Sequence, residues 1–119
     1  MDKNNVVKEK SYKFALRIIK MYRYMTKEKK EYILSNQLLR SGTSIGANVE
    51  EACSGYTKRE FIAKLSIAQK EAFETRYWLR LLRDSELVED RYINSMLDDC
   101  EELIRIITKI IVTAKNNIK

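Results

Sequence analysis

All three glycines of this chain fall between positions 42 and 55, and there is no proline anywhere. Sheets need turns, and turns draw on clusters of Gly, Pro, Asn and Asp. A chain this poor in them is constrained to helices. The glycine-bearing stretch is then either a loop that divides the protein or a helix stripped of side-chain bulk. From Ser41 to Ala47 every residue except Ile45 is small. The apolar register decides the matter. Leu34, Leu38, Ser41, Ile45, Asn48 and Ala52 step by four and three straight through Gly42 and Gly46, joined by Val49. A loop would have no reason to keep Leu38 and Ile45 in phase. The stretch is therefore read as helix, thinned so that a neighbour can lie close. That close packing must offset about 1 kcal/mol per Gly relative to Ala.

The remaining residues extend this into an all-α, antiparallel up-and-down four-helix bundle, a single domain over residues 1–119. Helices are expected at about 6–26, 30–54, 58–84 and 89–116. Val7, Phe14, Ile18, Met21 and Met25 mark the apolar face of the first. Phe61, Leu65, Ala68, Ala72, Thr75, Leu79 and Leu82 mark the third, and Ile93, Leu97, Cys100, Ile104, Ile107, Ile111 and Ala114 the fourth. Gly55 fits a left-handed helix end. Thr57 and Glu60 fit a capping box, so the second and third helices meet in a hairpin around Ser54 to Tyr56. Asn48, in a core-facing slot, reads as a hydrogen-bonded register device or as a ligand contact.

Charge is unevenly placed. The first thirty residues hold ten Lys or Arg against Asp2, Glu9 and Glu28, a surplus of +7 in a chain of formal charge +6, so the other 89 residues sum to −1. On the first helix Lys10, Lys13, Arg17, Lys20, Arg23 and Lys27 all lie opposite the apolar face. Such a stripe is either a solvated lysine-rich face or a track for phosphates. A membrane surface is a third option, but the apolar face is committed to the bundle.

The third helix carries apolar residues off its core face. Ile62, Phe73 and Tyr77 lie on one flank, and Ile67 with Trp78 on the other. They are either scattered exposed apolar residues or a subunit interface, and a homo-oligomer is expected. Arg76, Arg80 and Arg83 form a basic ridge that Glu71 and Glu74 are placed to neutralise.

Other functions are disfavoured. The chain has no histidine, which removes the usual general base and the commonest metal ligand. The run Asp98, Asp99, Glu101, Glu102 reads as a solvated face, and no metal or other cofactor is expected. Cys53 and Cys100 read as buried thiols. Neither a signal peptide nor a membrane span is visible, so a cytoplasmic protein with no membrane partner is expected.

Two segments carry a family resemblance. Gln37-Leu38-Leu39-Arg40-Ser41-Gly42-Thr43-Ser44-Ile45-Gly46-Ala47-Asn48-Val49-Glu50-Glu51-Ala52 resembles the hallmark of the 23S rRNA-intervening-sequence proteins, small bacterial four-helix bundles. Lys58 to Leu65, with Ala68, Glu71 and Glu74 to Leu82, extends the likeness. The chain departs from the family pattern at Lys27-Glu28-Lys29-Lys30, where members often carry Phe-Pro, and at Gly46, where many have proline. The resemblance implies a ring, typically a homopentamer. The chain is also similar to the accessory protein of diversity-generating retroelements, whose basic barrel associates with a reverse transcriptase and nucleic acid. The expected function is a non-enzymatic homo-oligomeric bundle that binds RNA or other nucleic acid through the first helix. The alternative is a protein–protein adaptor docking on an enzyme such as a reverse transcriptase.

Overall fold

The structure, a computed structural model, describes residues 3–55 and 57–117. Four helices follow in order: α1 (Lys3–Lys27), α2 (Ile33–Cys53), α3 (Lys58–Asp84) and α4 (Asp90–Asn116), and no strand occurs among the described residues. Each helix packs on its neighbour in sequence and α4 returns to α1, while the diagonal pairs stay apart. The connections, residues 28–32, 54–57 and 85–89, are short, which makes successive helices antiparallel. The body measures 50 × 23 × 20 Å.

The expected apolar faces are the observed core. Phe14, Ile18, Met25, Leu38, Ile45, Leu65, Leu79, Leu82, Ile93, Leu103 and Ile107 are all fully buried. Each recurs on its helix at steps of three and four, the spacing that keeps one face inward.

The glycines of α2 face α1. A Cβ added at Gly42 would stand 2.7 Å from Ile18 Cδ1, and one at Gly46 would stand 3.3 Å from the backbone oxygen of Ser11. α1 therefore rests almost backbone to backbone on α2, with Ser11 fully buried beneath it. Ser11 is satisfied locally, its hydroxyl donating to the Lys8 carbonyl at 3.2 Å. On its other side α2 packs extensively against α3, where Ala68 and Ala72 are fully buried. The Ser41 and Thr75 hydroxyls meet there at 2.9 Å, and Thr75 Oγ1 also lies 2.8 Å from the Glu71 carbonyl. Both are buried and both are partnered, so they fix the rotation of α3 on α2 without an unsatisfied group.

Several expectations are corrected. α2 begins at Ile33 rather than Lys30, because Lys30 adopts a left-handed backbone with φ 54°. The chain turns there, and the Glu31 amide closes on the Met25 carbonyl at 3.0 Å. Glu31 then caps α2: its carboxylate accepts from the amides of Ile33 (3.2 Å), Leu34 (3.0 Å) and Ser35 (2.8 Å). Gly55 is not left-handed; the positive-φ residues are Lys30 and, before α4, Glu86 at 63°. Among the described residues Asn48 makes no bond to another helix, its amide donating to the Ser44 carbonyl of its own helix at 2.9 Å. The register role belongs to Ser41 and Thr75. The Thr57 cap is present, accepting from the Glu60 amide at 3.0 Å, while Tyr56 of the expected hairpin lies outside the described residues.

Candidate nucleic-acid interface

The cations of α1 divide by their position around the helix. Lys10 and Arg17, seven residues apart, lie on the edge that meets α4. Lys10 Nζ stands 3.3 Å from Glu102, and Arg17 reaches Asp99 at 2.5 Å and the Ser95 hydroxyl at 3.0 Å. Lys13, further round, pairs with Glu9 of its own helix at 2.8 Å. That hydrogen bond, with the nearby positive charge, holds the Glu9 carboxyl below its usual range. Lys20, Arg23 and Lys27 are exposed and form no ion pair among the described residues. The six predicted site residues thus separate into two that close the bundle, one paired within α1, and three facing solvent uncompensated.

The acidic run on α4 is the counterpart: Asp98 stays exposed, as a solvated face requires, while its three neighbours are half-exposed and also paired. Asp99 and Glu102 turn to α1, and Glu101 turns to Arg76 of α3 at 3.2 Å. No group of three or more potential metal ligands exists among the described residues. Arg76 takes its partner from α4, so the expected pairing with Glu71 and Glu74 is also corrected. Those two carboxylates bind Arg40 of α2 instead. Adjacent helices thus exchange charge across the seams, which is legible only once the helices are placed.

The connection after α1 enlarges the cationic surface. Lys29 and Lys30 are exposed and form no ion pair among the described residues. Beside them lies a groove of about 370 Å³ between α1 and α4, lined by Arg17, Lys20, Met21, Tyr24, Val88, Tyr92 and Met96. Sequence reasoning missed this groove. One signal was present: Tyr24 continues the seven-residue line of Lys10 and Arg17, the edge turned to α4.

The five predicted interface residues also divide. Ile62 and Trp78 pack against the core of their own chain, and the Trp78 indole donates to Glu74 at 3.0 Å. Ile67, Phe73 and Tyr77 stay outside, 42%, 42% and 51% exposed. Tyr77 stands edge-on to Trp78 with centroids 5.2 Å apart, and the Arg76 guanidinium lies 4.9 Å from the Phe73 ring centre.

Among the described residues no helix is long and apolar enough to cross a membrane. Both cysteines are free. Cys100 is fully buried with its thiol against the Ala72 carbonyl at 3.3 Å, and burial pushes its pKa up to about 12. It is a core group with no thiolate at neutral pH.

Among solved structures the chain is similar to a protein of unknown function from the S23 ribosomal protein family of Bacteroides thetaiotaomicron. The two share 46% identity with a TM-score of 0.90, over 92% of this chain and 98% of that one. No curated protein sequence matches. The family model for the 23S rRNA-intervening sequence protein matches residues 3–109, and the chain belongs to that family.

Proposed function

We propose that the protein is a non-enzymatic, homo-oligomeric bundle that binds RNA or another nucleic acid along the outer face of α1. One observation carries this reading: Lys20, Arg23 and Lys27 are exposed with no acidic partner among the described residues, although α1 and α4 neutralise Lys10 and Arg17. Lys29 and Lys30 continue the same uncompensated surface. Cations left unpaired in a row attract a polyanion by releasing its counterions. Lys13 adds a partly neutralised charge at the start of the row. Exposed Ile67, Phe73 and Tyr77 on α3 support assembly, and a ring of the kind the family resemblance implies, such as a homopentamer, would multiply a short row into one avid surface.

The test is a Lys20→Glu/Arg23→Glu/Lys27→Glu variant, measured by fluorescence anisotropy against labelled RNA at low and moderate salt. Binding is expected to be lost with helicity unchanged, because none of the three residues makes an ion pair among the described residues. The corresponding glutamine variant is expected to flatten the salt slope by about 2 for a single strand. Retained binding in the charge-reversed variant would sink the assignment. Mass measurement of the native protein tests assembly, and a monomer at working concentration rejects it. A protein partner, for instance a reverse transcriptase, retained at high salt without RNA would replace this reading with the adaptor one.

A further inference from the structure

We infer that the groove between α1 and α4 is a stacking site for an unpaired base of a single-stranded nucleic acid. The inference rests on the polyanion reading of α1 and adds to it which form of nucleic acid the surface selects.

Met21, Val88 and Met96 are buried and make an apolar floor. Tyr24 and Tyr92 rise from facing helices as walls, yet remain 38% and 50% exposed. Within one chain these rings gain little by burial. Each instead keeps a cation against its ring: Lys29 Nζ lies 5.9 Å from the Tyr24 centre, and the Arg91 guanidinium 4.7 Å from that of Tyr92. At the rim stands Lys20, free of acidic partners among the described residues, beside Arg17, which Asp99 and Ser95 hold in place.

A base has an apolar face and a planar shape, and it hangs from an anionic backbone. The groove offers aromatic walls for the face and a free ammonium at the rim for the phosphate. Methionines make an adaptable floor that tolerates more than one base. Stacking on tyrosine needs no sequence readout, since every base has a π-face. A duplex keeps its bases inside the stack and cannot enter. Single strands are therefore preferred over duplex of the same length.

The experiment uses the full chain and three probes: a fluorescein-labelled single-stranded oligoadenylate, the same strand annealed to its complement, and heparin. Tyr24→Ala and Tyr92→Ala are compared with Tyr24→Phe and Tyr92→Phe, with folding followed by circular dichroism. The alanine variants are expected to lose about 5- to 100-fold in single-strand affinity. The phenylalanine variants keep it, and heparin binding is unchanged throughout. Alanine variants that bind the single strand within about twofold of the parent overturn the inference, as does an equal loss of heparin affinity. If the parent binds no probe, the α1 reading falls and takes the groove with it. If it binds strand, duplex and heparin alike and the alanine variants change nothing, only the groove falls.

Discussion

Arg17 of α1 and Asp99 of α4 meet at 2.5 Å across the most sparsely packed seam of the bundle. The Arg17 and Asp99 side chains are 38% and 44% exposed, so water and salt screen the pair. Arg17→Ala is expected to lower stability by at most about 1 kcal/mol. The loss should shrink gradually as salt rises and the Debye length falls from about 10 Å at 0.1 M to about 3 Å at 1 M. Urea melts at low and high salt check this. The swap Arg17→Asp with Asp99→Arg is expected to recover part of the loss, whereas Arg17→Asp alone places like charges together.

Gly42→Ala should destabilise the protein even though alanine is the better helix former. Its Cβ would press on fully buried Ile18 at 2.7 Å. Overpacking costs about 1–3 kcal/mol and helix propensity returns about 1, so a net loss of up to about 2 kcal/mol is expected. The urea midpoint measures it. Combining Gly42→Ala with Ile18→Ala should cost less than the sum of the two, because the second change empties the space the first one needs.

Lys30 and Glu86 sit in the left-handed region, at φ 54° and 63°. A side chain there costs about 1–2 kcal/mol, part of which glycine returns through its freer unfolded chain. Glu86→Gly is therefore expected to raise stability by about 0.5–1 kcal/mol in thermal or urea melts. Lys30→Gly should do the same while removing one cation from the proposed binding surface.

Cys100 gives a pH dependence with a defined sign. Its folded pKa is about 12 against an ordinary value of 9.0. Between these values the unfolded chain has given up the thiol proton and the folded one has kept it, so stability falls as pH rises. The contribution is intact below about pH 9 and is lost progressively toward pH 12. The readout is the difference from Cys100→Ala, whose stability should decline less steeply above pH 9. In the native protein Cys100 should also resist alkylation until the chain unfolds.

The core was legible because apolar periodicity is local: residues such as Leu38, Ile45 and Ile107 announce their burial by spacing alone. The site was half legible. A helical wheel separates polar from apolar, but it cannot say that Lys10 and Arg17 meet Glu102 and Asp99 while Lys20 does not. That depends on where α4 lies. The same limit hid the roles of Glu101 and Arg76. Helix ends failed for another reason. Gly55 has the residue type for a left-handed turn, yet Lys30 and Glu86 occupy that conformation, because the geometry of the connection selects the backbone and a non-glycine residue tolerates it at a modest cost. Asn48 shows the converse: a polar residue in a core-phase slot bonded to its own helix, while the cross-helix bond fell to Ser41 and Thr75.

α1 is fastened on its two sides by different chemistries. Toward α2 it lies close on Gly42 and Gly46, with Lys8 and Glu50 paired at the edge at 3.7 Å, so electrolyte acts on only part of that contact. Toward α4 it is held by half-exposed ion pairs, which electrolyte weakens. The helix therefore has a hinge side and a latch side, and the latch borders the groove of Tyr24 and Tyr92. Rising ionic strength would ease the latch while the hinge holds, and the cations of the latch, Lys10 and Arg17, are not those left exposed further along α1. The latch draws on Lys10 and Arg17 while Lys20, Arg23 and Lys27 stay free of it, so the seam can loosen or close without changing the charge that the outer face presents.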